Sequence, residues 1–209
     1  MTDRRPRAEG RHAPPSFVER TFYGAREVSP YTRLFEERIV FLGTPVDDHA
    51  ANDVTAQMLA LEGADPGRPV GLYINSPGGS LTAMMAILDT MLSIGPEVET
   101  TCVGQAGSAA AVLLAAGCKG RRAALANARI LLREPEADLT QGSAGDLQIQ
   151  AAEILRLRDR TERVLAEATG RDAASVRADL DRARIFGAAE AAEYGLIDTV
   201  LTARTGTGR

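Results

Sequence analysis

One turn of this 209-residue sequence could bind an anion through its backbone. Residues 75–80 read NSPGGS and follow an apolar segment that is typical of a strand. Gly78 and Gly79 lead into a helix and would expose backbone N–H groups, which suits an anion or an oxyanion. The pattern is not the GxxxxGK[ST] of a phosphate loop. An oxyanion site and a plain turn are therefore the two alternatives.

A second turn places a serine where a strand gives way to a helix. Residues 104–111 read GQAGSAAA, so the neighbours of Ser108 are too small to cover its hydroxyl. A helix start favours developing negative charge, and an exposed hydroxyl there suits a nucleophile. The sequence does not match the GxSxG elbow. The alternative is that Ser108 is an ordinary helix N-cap.

A serine nucleophile needs a base, and the sequence offers few. Its two histidines are His12, in a polar N-terminal stretch, and His49, at a helix start where a capping or structural role is expected. Lys119 is the only lysine. It follows Ser108 by eleven residues, which is about 16 Å along a helix and beyond hydrogen-bond reach.

Composition narrows the class of protein. Hydrophobic residues make up 44% of the chain and aromatic residues 4%, so aliphatic residues and alanine must build the core. The net charge of -4 argues against a nucleic-acid binder, and the longest apolar run, at 109–116, is too short to span a membrane. Cys102 and Cys118 suggest neither a disulfide framework nor a metal site. Both cysteines are interpreted as small core residues. The lack of a disulfide framework favours a reducing compartment, the cytoplasm.

The elements that must position both turns alternate along the chain. Strands are predicted at 38–42, 70–75, 98–103, 123–125, 129–132 and 197–201. Helices are predicted at 49–62, 81–94, 108–116, 144–168, 174–180 and 188–194. This order favours right-handed βαβ crossovers and a mainly parallel sheet, with ligands at the carboxyl ends of the strands. The inner stripe of the long helix is predicted to be Ile154, Leu157, Thr161, Val164 and Ala168.

Four segments are expected. Residues 1–16 are polar and arginine-rich and are predicted to be a disordered or processed extension. Residues 17–32 could form an ordered arm, residues 33–201 a single folded domain and residues 202–209 a flexible tail.

The folded part resembles the ClpP family, the proteolytic subunits of Clp proteases. The matching stretches include YTRL at 31–34, ERIVFL at 37–42, AQML at 56–59, LYINSPGG at 72–79, GQA at 104–106 and EYGLID at 193–198. The pairing of YINSPGG with GQAxS at 104–108 is specific to that family.

This resemblance implies an α/β fold, a ClpP/crotonase-like spiral of βαβ units with a protruding long handle helix at 144–168. It also implies heptameric rings stacked in pairs as a tetradecamer around a chamber, with residues 17–32 in the axial loop region. The family hydrolyses peptide bonds with a Ser–His–Asp triad. A partner AAA+ ATPase binds the ATP and delivers unfolded protein, so no cofactor is expected in this chain.

Carried over residue by residue, the resemblance implies an incomplete triad. Ser108 matches the nucleophile, and Gly79 and Ala109 match the residues whose backbone N–H groups form the oxyanion hole. The histidine follows in a strand that ends like MIHQP in the family. Here the strand reads ILLREP, which puts Arg133 at the histidine position. A guanidinium stays protonated at any working pH and cannot act as the base.

The triad aspartate of the family lies in a segment like ERDRF. Here the segment reads DRARIF, and the gap-free match from Tyr194 backward puts Ala183 at the aspartate position. A slip of the match would bring Asp181 nearby instead. Because an orienting aspartate is useful only beside a base, its loss is inconsequential once the histidine is gone.

Other family features are matched in part. Asp181 and Arg182 coincide with a charged pair that family members use between rings, whereas the EAD at 136–138 replaces the usual glycine pair after the catalytic strand. The apolar pocket that receives the ATPase is matched by four residues, while two of its positions hold the smaller Gly71 and Ala123. The four are Tyr73, Val103, Leu125 and Leu201.

Three functions are compatible with these residues. The first is a Clp core subunit without its own peptidase activity, assembling with itself or with catalytic ClpP paralogues and acting in assembly or regulation. The second is an active serine endopeptidase in which His49 or a neighbouring subunit supplies the base for Ser108. The third is a crotonase-fold protein that binds an acyl thioester in the hole formed by Gly78, Gly79 and Ala109. The first two handle unfolded protein or peptides, and no nucleic-acid or membrane partner is expected.

Overall fold

The computed structural model describes residues 16–21, 24–134 and 143–202. Most of the predicted extension with His12, the EAD at 136–138 and most of the predicted tail lie outside the described residues. The chain divides into two compact units, one up to residue 37 and one from residue 38 onward.

The first unit contains a hairpin and a short helix. The antiparallel strands are β1 (Phe17–Thr21) and β2 (Gly24–Val28). The helix is α1 (Pro30–Glu36), where Ser29 is the N-cap and its side chain accepts the Thr32 N–H at 3.0 Å. Proline at the start of the helix suits this position because its missing N–H would have no helical partner. The sequence analysis predicted an ordered arm here and no helix.

The second unit alternates strands and helices. Its strands are β3 (Ile39–Leu42), β4 (Val70–Ser76), β5 (Val98–Gly107), β6 (Arg122–Leu125), β7 (Arg129–Leu132), β8 (Arg184–Gly187) and β9 (Thr199–Leu201). Its helices are α2 (Asp48–Ala64), α3 (Leu81–Ser93), α4 (Ala109–Ala115), α5 (Ala144–Thr169), α6 (Ala173–Asp181) and α7 (Ala188–Tyr194).

The sheet of this unit is mainly parallel, as predicted. Its strand order is β3-β4-β5-β6-β9, and β7 pairs with the carboxyl-terminal part of β5. Only β8 runs antiparallel to its neighbour, β7. This α/β arrangement agrees with the predicted fold class, and it brings the ends of β4, β5 and β7 to one edge of the sheet.

Small side chains let α4 lie inside the core. Every residue of the AAAVLLA sequence of α4 is buried. The described core is aliphatic and alanine-rich, as the composition predicts. The largest fully buried side chains are mostly leucine, isoleucine and methionine, with Phe186 the only aromatic among them.

A buried arginine ties the ends of two helices to the sheet. The guanidinium of Arg122 donates to the carbonyls of Ala115 and Ala168 at 3.1 and 3.0 Å and to both carboxylate oxygens of Asp198 at 2.6 and 2.9 Å. This bidentate bond lowers the pKa of Asp198 to about 2. The ion pair is thus joined to α4, α5 and β6 at once.

The predicted long helix is present as α5, with 26 residues and a length of about 39 Å. Ser143 and Asp146 form a capping box at its start, and Gly170 ends it with a φ of 72°. Of the predicted inner stripe, Leu157, Thr161 and Val164 are buried, and Ile154 and Ala168 are only partly buried. The first three turns are mostly exposed and extend beyond the packed part of the unit.

Several predicted boundaries were wrong. Strand β5 continues to Gly107, beyond the predicted end at 103, although its last residues are rich in glycine and unlike a typical strand. Helix α4 begins after Ser108 rather than at it, and the last strand begins at Thr199 rather than at 197. Strand β8 was not predicted, because only Phe186 in it is buried and the burial pattern therefore gives little period-two signal.

Candidate active site

Ser108 lies in a sharp turn at the end of β5. Its backbone has a φ of 49° and a ψ of -117°, outside the regions that most residues adopt. Its N–H donates to the Leu131 carbonyl at 2.8 Å, and its hydroxyl donates to the Glu134 carbonyl at 3.3 Å. The side chain makes no capping hydrogen bond to α4, so it is not the ordinary N-cap of the alternative interpretation.

The two turns that the sequence singled out are in contact. A Cβ placed on Gly78 would lie 2.9 Å from the Ser108 Cβ and 2.2 Å from the Gly107 carbonyl oxygen. Gly78 has a φ of +94°, which is a second reason why only glycine fits there. The structure therefore brings the NSPGG turn and the serine turn together at the carboxyl ends of β4 and β5.

Gly79 is held by the segment before α2. The Val46 N–H donates to the Gly78 carbonyl at 2.9 Å, and the Ser80 N–H donates to the Val46 carbonyl at 2.8 Å. Neither bond uses the Gly79 N–H, so this bridge leaves that group available as a donor. Ala109 is the first residue of α4, where a backbone N–H has no partner within the helix. These are the two N–H groups that the resemblance assigns to the oxyanion hole.

Arg133 directly follows β7, and Ala183 directly precedes β8, which pairs with β7. In the antiparallel register of β7 and β8, Leu132 lies opposite Arg184. Continuing this register by one residue puts Arg133 opposite Ala183. Asp181, the alternative for the aspartate position, is the last residue of α6 and lies two residues further from this pair.

Arg133 and Ala183 are exposed. Ser108 is only 1% exposed, so the expectation of an uncovered hydroxyl was wrong. Ala183 has a φ of 49°, which is unfavourable for an alanine and better tolerated by aspartate. In the parallel register of β5 and β7, Gly107 lies beside Leu131, so the position of Arg133 is next to the serine turn. The three positions that the resemblance assigns to the triad thus lie at one edge of the sheet.

The other two side chains considered as a base, His49 and Lys119, lie at the start of α2 and after the end of α4. His49 is the second residue of α2, where Asp47 is the N-cap and accepts the Ala50 N–H at 2.8 Å. It is three residues from Val46, which bridges Gly79. Lys119 follows the carboxyl-terminal end of α4, while the serine precedes its start.

A cluster of charges that the sequence analysis missed lies beside the site. Arg158 on α5 forms ion pairs with Glu134, Glu162 and Asp181. Hydrogen bonds from Arg177 and from Arg158 lower the pKa of Glu162, whose side chain is buried. The only signal in the sequence is the four-residue spacing of Arg158 and Glu162, which places both on one side of the helix. Nothing in the sequence indicates their partners.

The residues predicted for assembly and docking are on the surface. The Asp181 carboxylate pairs with Arg158 at 2.5 Å, and Arg182 is exposed at the end of α6. The four matched pocket residues occupy alternate positions of neighbouring strands and so share one face of the sheet, with Leu125 directly opposite Leu201. They are Tyr73, Val103, Leu125 and Leu201.

The described residues show neither a metal site nor a membrane-spanning helix. No group of three or more histidine, cysteine, aspartate or glutamate residues among them could hold a metal ion. In the part of the chain that the structure describes, no helix is long and apolar enough to cross a membrane.

Comparison with known proteins gives matches over nearly the whole chain. The profile of the Clp protease family matches residues 23–204. The chain is 57% identical over 194 residues to the ATP-dependent Clp protease proteolytic subunit 1 of Corynebacterium glutamicum, covering 93% of both chains. It is 52% identical over 199 residues to subunit 2 of Streptomyces coelicolor, covering 95% of this chain and 91% of the other.

Proposed function

The chain belongs to the Clp protease family, and we propose that it is a core subunit whose own site has lost the capacity to hydrolyse peptides. The observation that carries this proposal is the position of Arg133, at the end of β7 and next to the serine turn. In a Ser–His–Asp mechanism the residue there takes the proton from the serine hydroxyl. A guanidinium is a donor only and stays charged at any working pH, so it cannot take that proton.

The contacts of Ser108 support the same conclusion. Its hydroxyl donates to the backbone carbonyl of Glu134, which cannot act as a general base. With Ala183 at the aspartate position there is also no carboxylate to orient a base. The oxyanion hole consists of two backbone N–H groups, so its formation does not depend on the missing side chains. A hole without a base leaves only a small part of the catalysis.

The remaining features suit assembly. The handle helix α5 is complete, and its exposed first turns carry Leu147, Ile149 and Leu155 on the surface. Contact with other subunits around the helix would remove these apolar side chains from water. We propose that the chain joins itself or catalytic Clp paralogues in heptameric rings and a tetradecamer in the cytoplasm, and acts there in assembly or regulation. Docking of a Clp ATPase on the face that carries Tyr73 and Leu201 is part of the same proposal.

The experiment is peptide hydrolysis by the purified chain, alone and mixed with a catalytic paralogue, with Ser108→Ala as the matched control. We expect no hydrolysis by the chain alone. We expect mixed complexes, seen by native mass spectrometry, whose hydrolysis is the same with and without Ser108→Ala. Hydrolysis by the chain alone that Ser108→Ala abolishes would overturn the proposal.

An active peptidase with an unusual base is the second candidate. It is favoured by one observation: His49 follows Val46 by three residues, and Val46 bridges Gly79 of the oxyanion hole. In that case an acylating serine probe would label Ser108, and His49→Gln would abolish labelling. The acyl-thioester alternative has only the oxyanion hole in its favour.

A further inference from the structure

Three segments of the second unit meet at one arginine of the handle helix. The Arg158 guanidinium lies 2.5 Å from a carboxylate oxygen of Asp181, 3.1 Å from one of Glu162 and 3.4 Å from one of Glu134. Its side chain is 23% exposed, so these pairs are partly shielded from solvent. Glu134 follows β7, Glu162 is on α5 itself and Asp181 ends α6. Arg158 therefore links two segments that are remote in sequence.

Glu162 does not neutralise Arg158 alone. Its side chain is 3% exposed and also accepts hydrogen bonds from Arg177 at 2.6 to 3.0 Å. A buried carboxylate with two arginines is fully paired, and the charge of Arg158 remains available to the two outer acids. The planar fork of a guanidinium can serve several carboxylates at once, which an ammonium group does less well.

The two outer acids flank the site residues. Glu134 follows Arg133, and its own backbone carbonyl accepts the Ser108 hydroxyl. Asp181 precedes Ala183 by two residues. The side chain of Arg158 thus holds, from one point, the segment after the histidine position and the segment before the aspartate position.

We propose that Arg158 is a positioning residue for the Ser108 site. Through Glu134 it keeps the carbonyl over the serine hydroxyl, and through Asp181 it fixes the distance between the end of β7 and the start of β8. The inference concerns the site of the proposed function and rests on that function only where catalysis is measured.

Hydrogen exchange of the purified full-length chain tests the proposal without catalysis. Arg158→Met keeps most of the side-chain length and removes the charge. Arg156→Met is the matched control, because Arg156 is on the same helix but pairs only with Glu153 one turn away. We expect Arg158→Met to raise amide exchange about fivefold in segments 129–134 and 176–184 together, and Arg156→Met to leave both unchanged. Arg158→Lys should give an intermediate increase.

Two results would overturn the proposal. One is unchanged exchange in both segments. The other is an equal increase throughout the unit, including β3 and β4, which would show a general loss of stability. Glu134→Gln should raise amide exchange in 129–134 alone, since it removes the ion pair with Glu134 and leaves the ion pair with Asp181.

A kinetic arm uses a background in which the triad is restored, Arg133→His with Ala183→Asp. There we expect Arg158→Met to lower kcat about tenfold with little change in KM, because it displaces catalytic groups and not the substrate. An unchanged kcat would contradict the positioning role. If the restored background itself is inactive, the assignment of Arg133 and Ala183 to the triad positions fails, and the exchange experiment still decides the role of Arg158.

Discussion

If Arg133 and Ala183 occupy triad positions, as the resemblance implies, placing histidine and aspartate there should give the chain peptidase activity. The double variant Arg133→His, Ala183→Asp puts an imidazole at the end of β7 and a carboxylate opposite it across the β7–β8 pair. The two positions lie just outside the last strand pair, Leu132 and Arg184. Directly opposed residues of antiparallel strands have Cα atoms about 5 Å apart. We expect a similar spacing one residue further on, which a hydrogen bond between an imidazole and a carboxylate can span. The serine turn and the Gly79 amide are already in place, so no further change is needed for a complete set of groups.

The magnitude follows from how a triad works. In serine peptidases the loss of the orienting aspartate alone costs about 10⁴ in kcat, and the loss of the base about 10⁶. We therefore expect a gain of up to about 10⁶-fold for the double variant, of about 10²-fold for Arg133→His alone, and none for Ala183→Asp alone.

The substitutions should not harm the fold, because both positions are exposed. Ala183 has a φ of 49°, which costs an alanine about 1 kcal/mol and an aspartate less. Ala183→Gly is the matched control, since it relieves the same backbone strain and adds no carboxylate. Its stability should rise by up to about 1 kcal/mol, and it should add no activity to Arg133→His.

The assay is hydrolysis of a short fluorogenic peptide by assembled rings, with Ser108→Ala in the double variant as the zero. Activity should fall on the acid side as the introduced histidine becomes protonated, near its usual pKa of about 6.5. A double variant that folds and assembles but remains inactive would refute the placement of Arg133 and Ala183 at the triad positions.

Two further predictions concern stability, measured by urea unfolding. Asp198→Asn should cost about 2 kcal/mol at pH 7, because the pKa of Asp198 is lowered to about 2 by Arg122. A lowered pKa stabilises the fold at pH values above the unfolded-state pKa of about 4. The difference in free energy of unfolding between the variant and the unchanged chain should therefore shrink as the pH falls from about 4 towards about 2. A difference that does not depend on pH would contradict the ion-pair explanation. Gly79→Ala should cost about 2 kcal/mol or more, because its Cβ would lie 2.5 Å from the Val46 carbonyl oxygen at a φ of +150°. The control is Gly63→Ala in α2. A Cβ at Gly63 would have no neighbouring atom within 4 Å, so this change should be neutral or stabilising.

Local sequence patterns predicted most of the second unit. Helices α2, α3, α5 and α7 and the inner strands were placed correctly to within a few residues, because their apolar residues recur with the period of the element. The error at β5 has a different origin. Its last four residues, GQAG, pair with β7 on one side, and Ala106 also pairs with Ser76 of β4. Such pairing between distant segments leaves no trace in local composition.

The site shows the same division between local and distant information. The two glycine-containing turns could be recognised from the sequence, but their contact could not, since it depends on the neighbouring ends of β4 and β5. The ion pairs of Arg158 were missed for the same reason. Glu134 and Asp181 are 24 and 23 residues away from it and are brought together only by the packing of α5 and α6.

The pattern of what the site keeps and loses has a physical reason. Ser108 is buried, its N–H donates to the Leu131 carbonyl, and its Cβ contacts Gly78. The serine turn therefore connects the ends of β4, β5 and β7. A change of backbone there would disturb the fold whether or not the serine reacts. Arg133 and Ala183 are exposed at strand ends, where side chains contribute little to packing. If the proposed function is correct, such a subunit can lose a base and an orienting carboxylate at these exposed positions without disturbing the buried serine turn.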